Sequence, residues 1–217
     1  MLKRLLGLLG LGGAMAVAAA PDPALYDPLF CDQPALYRPA SGTTPAPWQA
    51  LLFDDHADAH AVRSLAADAQ GDSRVRALAY GWLRAHRQPV PHGDLLGVVF
   101  EVEVNGGLDV LAAYADGRLR YLNHSGRVAV FDTLPATLGA RWQALMAAAR
   151  QASPAAGGWQ RAGRPLPGAG EVRITFVRSD GLHRLQGRFD AMQRDASTGP
   201  LLLAGAQAVA QIVEVLR

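Results

Sequence analysis

Three groups of residues carry side chains able to do chemistry. The densest is Asp54-Asp55-His56-Ala57-Asp58-Ala59-His60. His56 and His60 are four apart, so on a helix they share a face, and two imidazole nitrogens at that spacing can hold zinc. The glutamate of the metalloprotease motif is missing, and no third distant ligand stands out. Such residues more often make a solvated helix start, where carboxylates cap exposed amide groups and favour the dipole. His56 and His60 are thus the metal candidates, and no metal is expected.

The second group is the turn Leu122-Asn123-His124-Ser125-Gly126. The strand register argued below sets His124 opposite Asp109, and a carboxylate there can orient the imidazole for acid–base work. Ser125 adjoins the histidine, but a neighbour in a tight turn normally points away. No Gly-x-Ser-x-Gly elbow occurs in the chain. Turn Asn, Ser and Gly are also common for backbone reasons alone. His124 and Asp109 define the alternative function, a small hydrolase-type enzyme.

The third group is a set of arginines on strand patterns: Arg118, Arg120, Arg173, Arg184 and Arg188, with Glu101 and Glu103 among them. Guanidinium groups on rigid strands can grip a carboxylate, a phosphate or an acidic protein surface. The plainer use is a solvated face whose charges pair across strands. The face lacks stacking aromatics, which argues against single-stranded nucleic acid.

Composition narrows the classes. The chain has 217 residues, half of them apolar, enough for a real core. Lys3 is the only lysine, against twenty arginines. P-loops, Schiff-base enzymes, Ser-Lys hydrolases and kinase folds need a reacting lysine, so none can be built in the body of this chain. The net charge is +2, and without Lys3 and Arg4 basic and acidic residues number 19 each, which argues against a binder driven by bulk charge. One cysteine, Cys31, excludes an internal disulfide and cysteine-based metal clusters. No cofactor is expected.

Met1 to Ala20 reads as a secretory leader: Lys3 and Arg4, an apolar stretch from Leu5 to Ala14, and small residues around Ala18 for cleavage. The expected location is periplasmic or secreted, the alternative a cytoplasmic protein with an apolar N-terminal arm. The apolar run is too short for a stable membrane span. Residues 21–50 read as an extended proline-rich arm. Seven prolines fall between Pro21 and Pro47, and Tyr26, Phe30 and Tyr37 are expected to dock in surface grooves. Cys31, within the arm, is expected to be packed and inert.

Residues 51–217 read as one α+β domain. Helical spacing predicts a helix from Asp54 or Asp55 to Ala69, another after Ser73, one over Ala136–Gln151 and a last one over Pro200–Leu216. Alternation and turn signals predict strands over Leu95–Val104, Leu108–Ala115, Arg118–Leu122, Arg127–Phe131, Glu171–Arg178 and Leu182–Phe189. A three-residue first loop, pairing Val104 with Leu108 and Val102 with Val110, collects Leu119, Tyr121, Val128 and Val130 on one apolar face. It leaves Asp109 with the charged residues on the other. A turn at Asp180-Gly181 pairs Val172 with Phe189, Ile174 with Gly187 and Phe176 with Leu185.

The predicted order is αα-ββββ-α-ββ-α, a two-layer fold with a mostly antiparallel sheet and helices on one face. That order resembles secretion-chaperone-like and profilin-like domains, which are mostly binding modules. The resemblance lies in topology alone. The expected function is a non-catalytic, exported binding or interaction domain. It would use the arginine-rich face for an acidic protein surface or a small anionic ligand, without nucleic acid.

Overall fold

The structure, a computed structural model, describes residues 21–104, 106–161 and 165–216. The leader reading, Met1 to Ala20, and Asn105 of the first strand turn lie outside the described residues.

The predicted α+β class with an antiparallel sheet is what forms. Seven strands lie in the order β4-β3-β2-β1-β6-β7-β5. They are β1 (Leu95–Val104), β2 (Gly107–Tyr114), β3 (Leu119–Leu122), β4 (Val128–Phe131), β5 (Gly157–Gly158), β6 (Glu171–Arg178) and β7 (Gly181–Arg188). Helices α1 (Pro23–Tyr26), α2 (Pro47–Leu52), α3 (Ala59–Ala67) and α4 (Ser73–Ala85) precede the sheet; α5 (Ala136–Ala152), α6 (Phe189–Arg194) and α7 (Thr198–Val215) follow its strands.

Helices cover both sheet faces, not one. On the first face Val98, Phe100, Leu111, Leu119, Val172, Ile174 and Phe176 pack against α5, α6 and α7, through Leu138, Leu145, Phe189, Leu201 and Ile212. On the second, Leu96, Val99, Val110, Ala112 and Leu122 pack against the N-terminal elements, through Phe30, Leu52, Val62, Leu78 and Leu83. The second layer explains why β1 and β2 are buried along nearly their whole length instead of at alternate residues. Helix α7 is long and apolar enough to cross a bilayer, but Leu201, Leu202, Val209 and Ile212 are buried inside the fold.

Two registers differ from expectation. Val104 pairs with Gly107, Val102 with Asp109 and Phe100 with Leu111, so the first loop has two residues, not three. Gly106 takes the left-handed position there, at φ 82°. The shift of one moves Asp109 onto the α5/α7 side, away from Glu101 and Arg173. Val128 and Val130 pair with Leu122 and Arg120, on the face opposite Leu119 and Tyr121. In the β6–β7 hairpin, Val172 pairs with Gly187, Ile174 with Leu185 and Phe176 with His183, so Ser179 and Asp180 form the turn. That shift is even and leaves Val172, Ile174 and Phe176 facing the core, fully buried.

The proline-rich arm is not extended. It folds into short helical turns: α1, then 3₁₀ turns at Asp27–Phe30 and Pro34–Tyr37, then α2. Pro23, Pro28, Pro34 and Pro47 each stand in the first turn, where a missing amide proton costs nothing. Phe30, fully buried, contributes about 1.5–3 kcal/mol by burial.

Candidate functional site

The strand pattern sets Glu101 on β1 directly beside Arg173 on β6. Both are buried, at 0 % and 1 % exposure. Arg173 Nε donates to Glu101 Oε2 at 2.6 Å, Nη2 reaches Oε1, and Nη1 donates to the Pro165 carbonyl at 2.8 Å. Trp159 lies 4.8 Å over the guanidinium. Tyr26, from the arm, donates its hydroxyl to Glu101, and burial followed by the Glu101 charge pushes that phenol well above its ordinary range.

A second clamp completes the docking. Arg161 Nε and Nη2 donate to Asp32 at 3.1 and 3.2 Å, and Nη1 donates to Asp27 at 2.8 Å. Its guanidinium also stacks 4.4 Å over Phe30. Tyr114 donates to the Leu29 carbonyl at 2.8 Å. Cys31, next to Asp32 in the chain, contacts the Pro28 carbonyl and the Tyr37 hydroxyl, and burial pushes its thiol up to about 12.

The predicted arginines share one sheet face, but that face is largely covered and not solvated. Arg120 is buried, donating to the carbonyls of Leu119 and Phe131 at 2.8 and 3.0 Å and pairing with Asp132. Arg118 binds Asp116 at 2.6 Å. Glu103 accepts from the backbone of Gly106 at 2.6 Å and of Gly170 at 3.0 Å. Arg184 stacks on Trp159 at 5.2 Å and stays half-buried, while Arg188 is exposed opposite Glu171. The arm meets this face through the Tyr26 hydroxyl at Glu101 and Arg173, the segment after β5 covers Arg173 with Trp159 and the Pro165 carbonyl, and Arg118 and Arg120 are taken up by Asp116 and Asp132.

The metal pair does not form on one helix. His60 lies in α3, which Asp58 caps through the His60 and Ala61 amides at 3.0 and 3.4 Å. His56 lies in the turn before it. Among the described residues no group of three or more His, Cys, Asp and Glu could hold a metal.

His124 and Asp109 do meet. Asp109 is 3 % exposed. Its Oδ1 accepts from the His124 amide at 2.8 Å, and His124 Nδ1 lies 2.7 Å from the same oxygen. Tyr121 donates to Oδ2 at 3.0 Å, and Asn123 Nδ2 donates to Oδ1 at 3.2 Å. Gly107 makes room: a Cβ there would fall 2.7 Å from the His124 Cβ. Ser125 is not part of the arrangement; its hydroxyl donates to Asn123 Oδ1 at 2.6 Å.

With Nδ1 held by Asp109, Nε2 is the ring nitrogen left for a ligand. His124 lines an open cleft of about 100 Å³ between the start of the arm and the β3–β4 end of the sheet. Leu25, Leu108, Leu122 and Val128 give it apolar walls, and Asp22, Asn123 and Arg127 give it polar ones. Arg127 is exposed, and its side chain has no hydrogen bond or ion pair among the described residues. Two residues of these arrangements are not singled out by the sequence pattern. Arg161 lies 129 residues from Asp32, beyond any local pattern. Arg127 shows as a basic residue next to His124, a signal that was present.

Comparison with family models, with curated proteins and with solved structures finds no match for this chain.

Proposed function

We propose that the chain is a non-catalytic binding domain whose contact site is the His124–Arg127 cleft, and that its ligand is a carboxylate-bearing, partly apolar segment of an acidic partner. One observation carries the reading. Asp109 fixes the His124 ring through Nδ1, and His124 and the exposed Arg127 line one cleft together with Leu25, Leu108, Leu122 and Val128. Arg127 can grip a carboxylate with its fork of donors, and the leucines take the neighbouring apolar side chains. Most of the arginines first expected to bind a partner are engaged inside the fold, which supports moving the contact to this cleft. The leader pattern supports export as part of the same reading.

The test is calorimetric titration with an acetylated and amidated octapeptide of alternating leucine and aspartate. Binding that falls at least tenfold in Arg127→Ala and in His124→Ala, and holds in Arg184→Ala/Arg188→Ala, supports the cleft. Loss in the Arg184/Arg188 variant alone returns the contact to the strand face. No binding to the wild type ends the proposal.

The His124–Asp109 geometry also favours a second reading, an acid–base enzyme in which Nε2 takes a proton from a bound water or hydroxyl. It requires turnover of some ester or amide by the wild type that His124→Ala abolishes while the octapeptide titration stays flat.

A further inference from the structure

We infer that the ligand of the cleft presents a hydrogen-bond donor to His124 beside its carboxylate, because Nε2 of the neutral ring can only accept. The inference rests on the reading of the cleft as the contact site and names what its ligand must carry.

The protons can be placed one after another, starting from the backbone. The Ser125 amide is a donor by its chemistry, and it lies 2.9 Å from Asn123 Oδ1. That contact settles which end of the Asn123 side chain is oxygen. Nδ2 is therefore the end that donates to Asp109 Oδ1 at 3.2 Å and to the Tyr121 hydroxyl at 3.0 Å. The Tyr121 oxygen accepts from Asn123, so its one proton goes to Asp109 Oδ2, 3.0 Å away. The His124 amide, again a donor, lies 2.8 Å from Asp109 Oδ1. Asp109 is met by donors on both oxygens and acts as an acceptor throughout. His124 Nδ1, 2.7 Å from Oδ1, must then hold the ring proton. In a neutral imidazole that leaves a lone pair on Nε2, which has no partner among the described residues.

This bookkeeping selects among anionic ligands. A bare carboxylate set against Nε2 would bring lone pair to lone pair. The carboxylate suits Arg127, which lines the same cleft, and Nε2 needs an N–H or O–H. An aspartate residue supplies both, since its backbone N–H belongs to the same residue as its carboxylate. A fatty acid, with only a carboxylate and an alkyl chain, has no donor to offer, and the cleft disfavours it.

Two measurements test this. Nitrogen NMR of the free protein at about pH 8, above the range in which histidines ordinarily titrate, is expected to show a proton on His124 Nδ1 and none on Nε2. Titration calorimetry then compares the leucine–aspartate octapeptide with a copy in which malate replaces each aspartate, so that those N–H groups become ester oxygens. The malate copy is expected to bind the wild type at least tenfold more weakly, and the two peptides to bind His124→Ala alike. A proton on Nε2 in the free protein overturns the inference. So does a malate penalty that persists in His124→Ala. Equal binding of the two peptides to the wild type overturns it as well, and leaves the cleft reading standing if Arg127→Ala weakens both. A wild type that binds neither peptide takes down the cleft reading, and the ligand class with it.

Discussion

Arg161 and Asp32 stand 129 residues apart in the chain, yet a two-pronged ion pair joins them and fastens the proline-rich arm to the segment that follows β5. Arg161 is 9 % exposed and its guanidinium also holds Asp27. Arg161→Ala is expected to cost about 1.5–3 kcal/mol, the range for charged hydrogen bonds, and Arg161→Lys to recover little, because an ammonium cannot bridge both carboxylates in the same geometry. Urea denaturation reads the cost. Unchanged stability in Arg161→Ala would mean the arm is held by its apolar contacts alone.

Cys31 reports the same docking. Its thiol, within the arm and next to Asp32, is 7 % exposed, and burial holds it near 12. At neutral pH it is expected to resist a thiol reagent in the native wild type and to react several-fold faster in Arg161→Ala. Equal rates in the two proteins would show that the clamp does not gate the arm.

The buried Glu101–Arg173 pair should behave asymmetrically. Glu101→Gln leaves a buried guanidinium without its counter-charge and is expected to cost about 3–5 kcal/mol. Glu101→Met/Arg173→Met removes both charges and should lose clearly less. A double variant at least as damaged as the single one would mean that the pair itself, not the stranded charge, carries the stability.

How much of this was legible in the sequence turns on parity. The β6–β7 register was misplaced by two residues, and because side chains alternate with period two, Val172, Ile174 and Phe176 still point to the core. The β1–β2 register was misplaced by one, and that sent Asp109 to the wrong face. One apolar and one wet face is what the three-residue loop would produce. A sheet covered on both sides does not obey that division, and only contacts such as Tyr26 with Glu101 reveal the second cover. The His124–Asp109 contact was legible because both residues lie at the same end of adjacent strands, where a one-residue slip still leaves them in reach.

Acid sensitivity follows from the start of α7. Asp195 accepts from the Thr198 amide first, then from the Ser197 hydroxyl and amide, which hold its carboxyl near 2. A carboxylate lowered in the folded state stabilises above its unfolded value, ~3.9, and loses that contribution as pH falls toward the folded one. Asp72 and Asp180, each paired with an arginine, are shifted the same way. Stability should therefore decline below about pH 4. Asp195→Ala should flatten that decline and lower the melting temperature at neutral pH. A melting curve with the same acid slope in both proteins would contradict the cap.

Gly107 is the residue whose change most sharply separates the site from the fold. Gly107→Ala pushes a methyl against His124 and is expected to cost roughly 1–3 kcal/mol while breaking the His124–Asp109 contact. The native amide spectrum away from the turn should persist. Unaltered His124 ring signals in that variant would show the space at residue 107 to be irrelevant.

The most direct measurement is nitrogen-detected NMR of the His124 imidazole with the leucine–aspartate octapeptide added stepwise. The expected result is a signal from Nε2 that moves with saturation while Nδ1, held by Asp109, stays in place. A ring that does not respond while the Arg184 and Arg188 guanidinium signals shift would contradict the account.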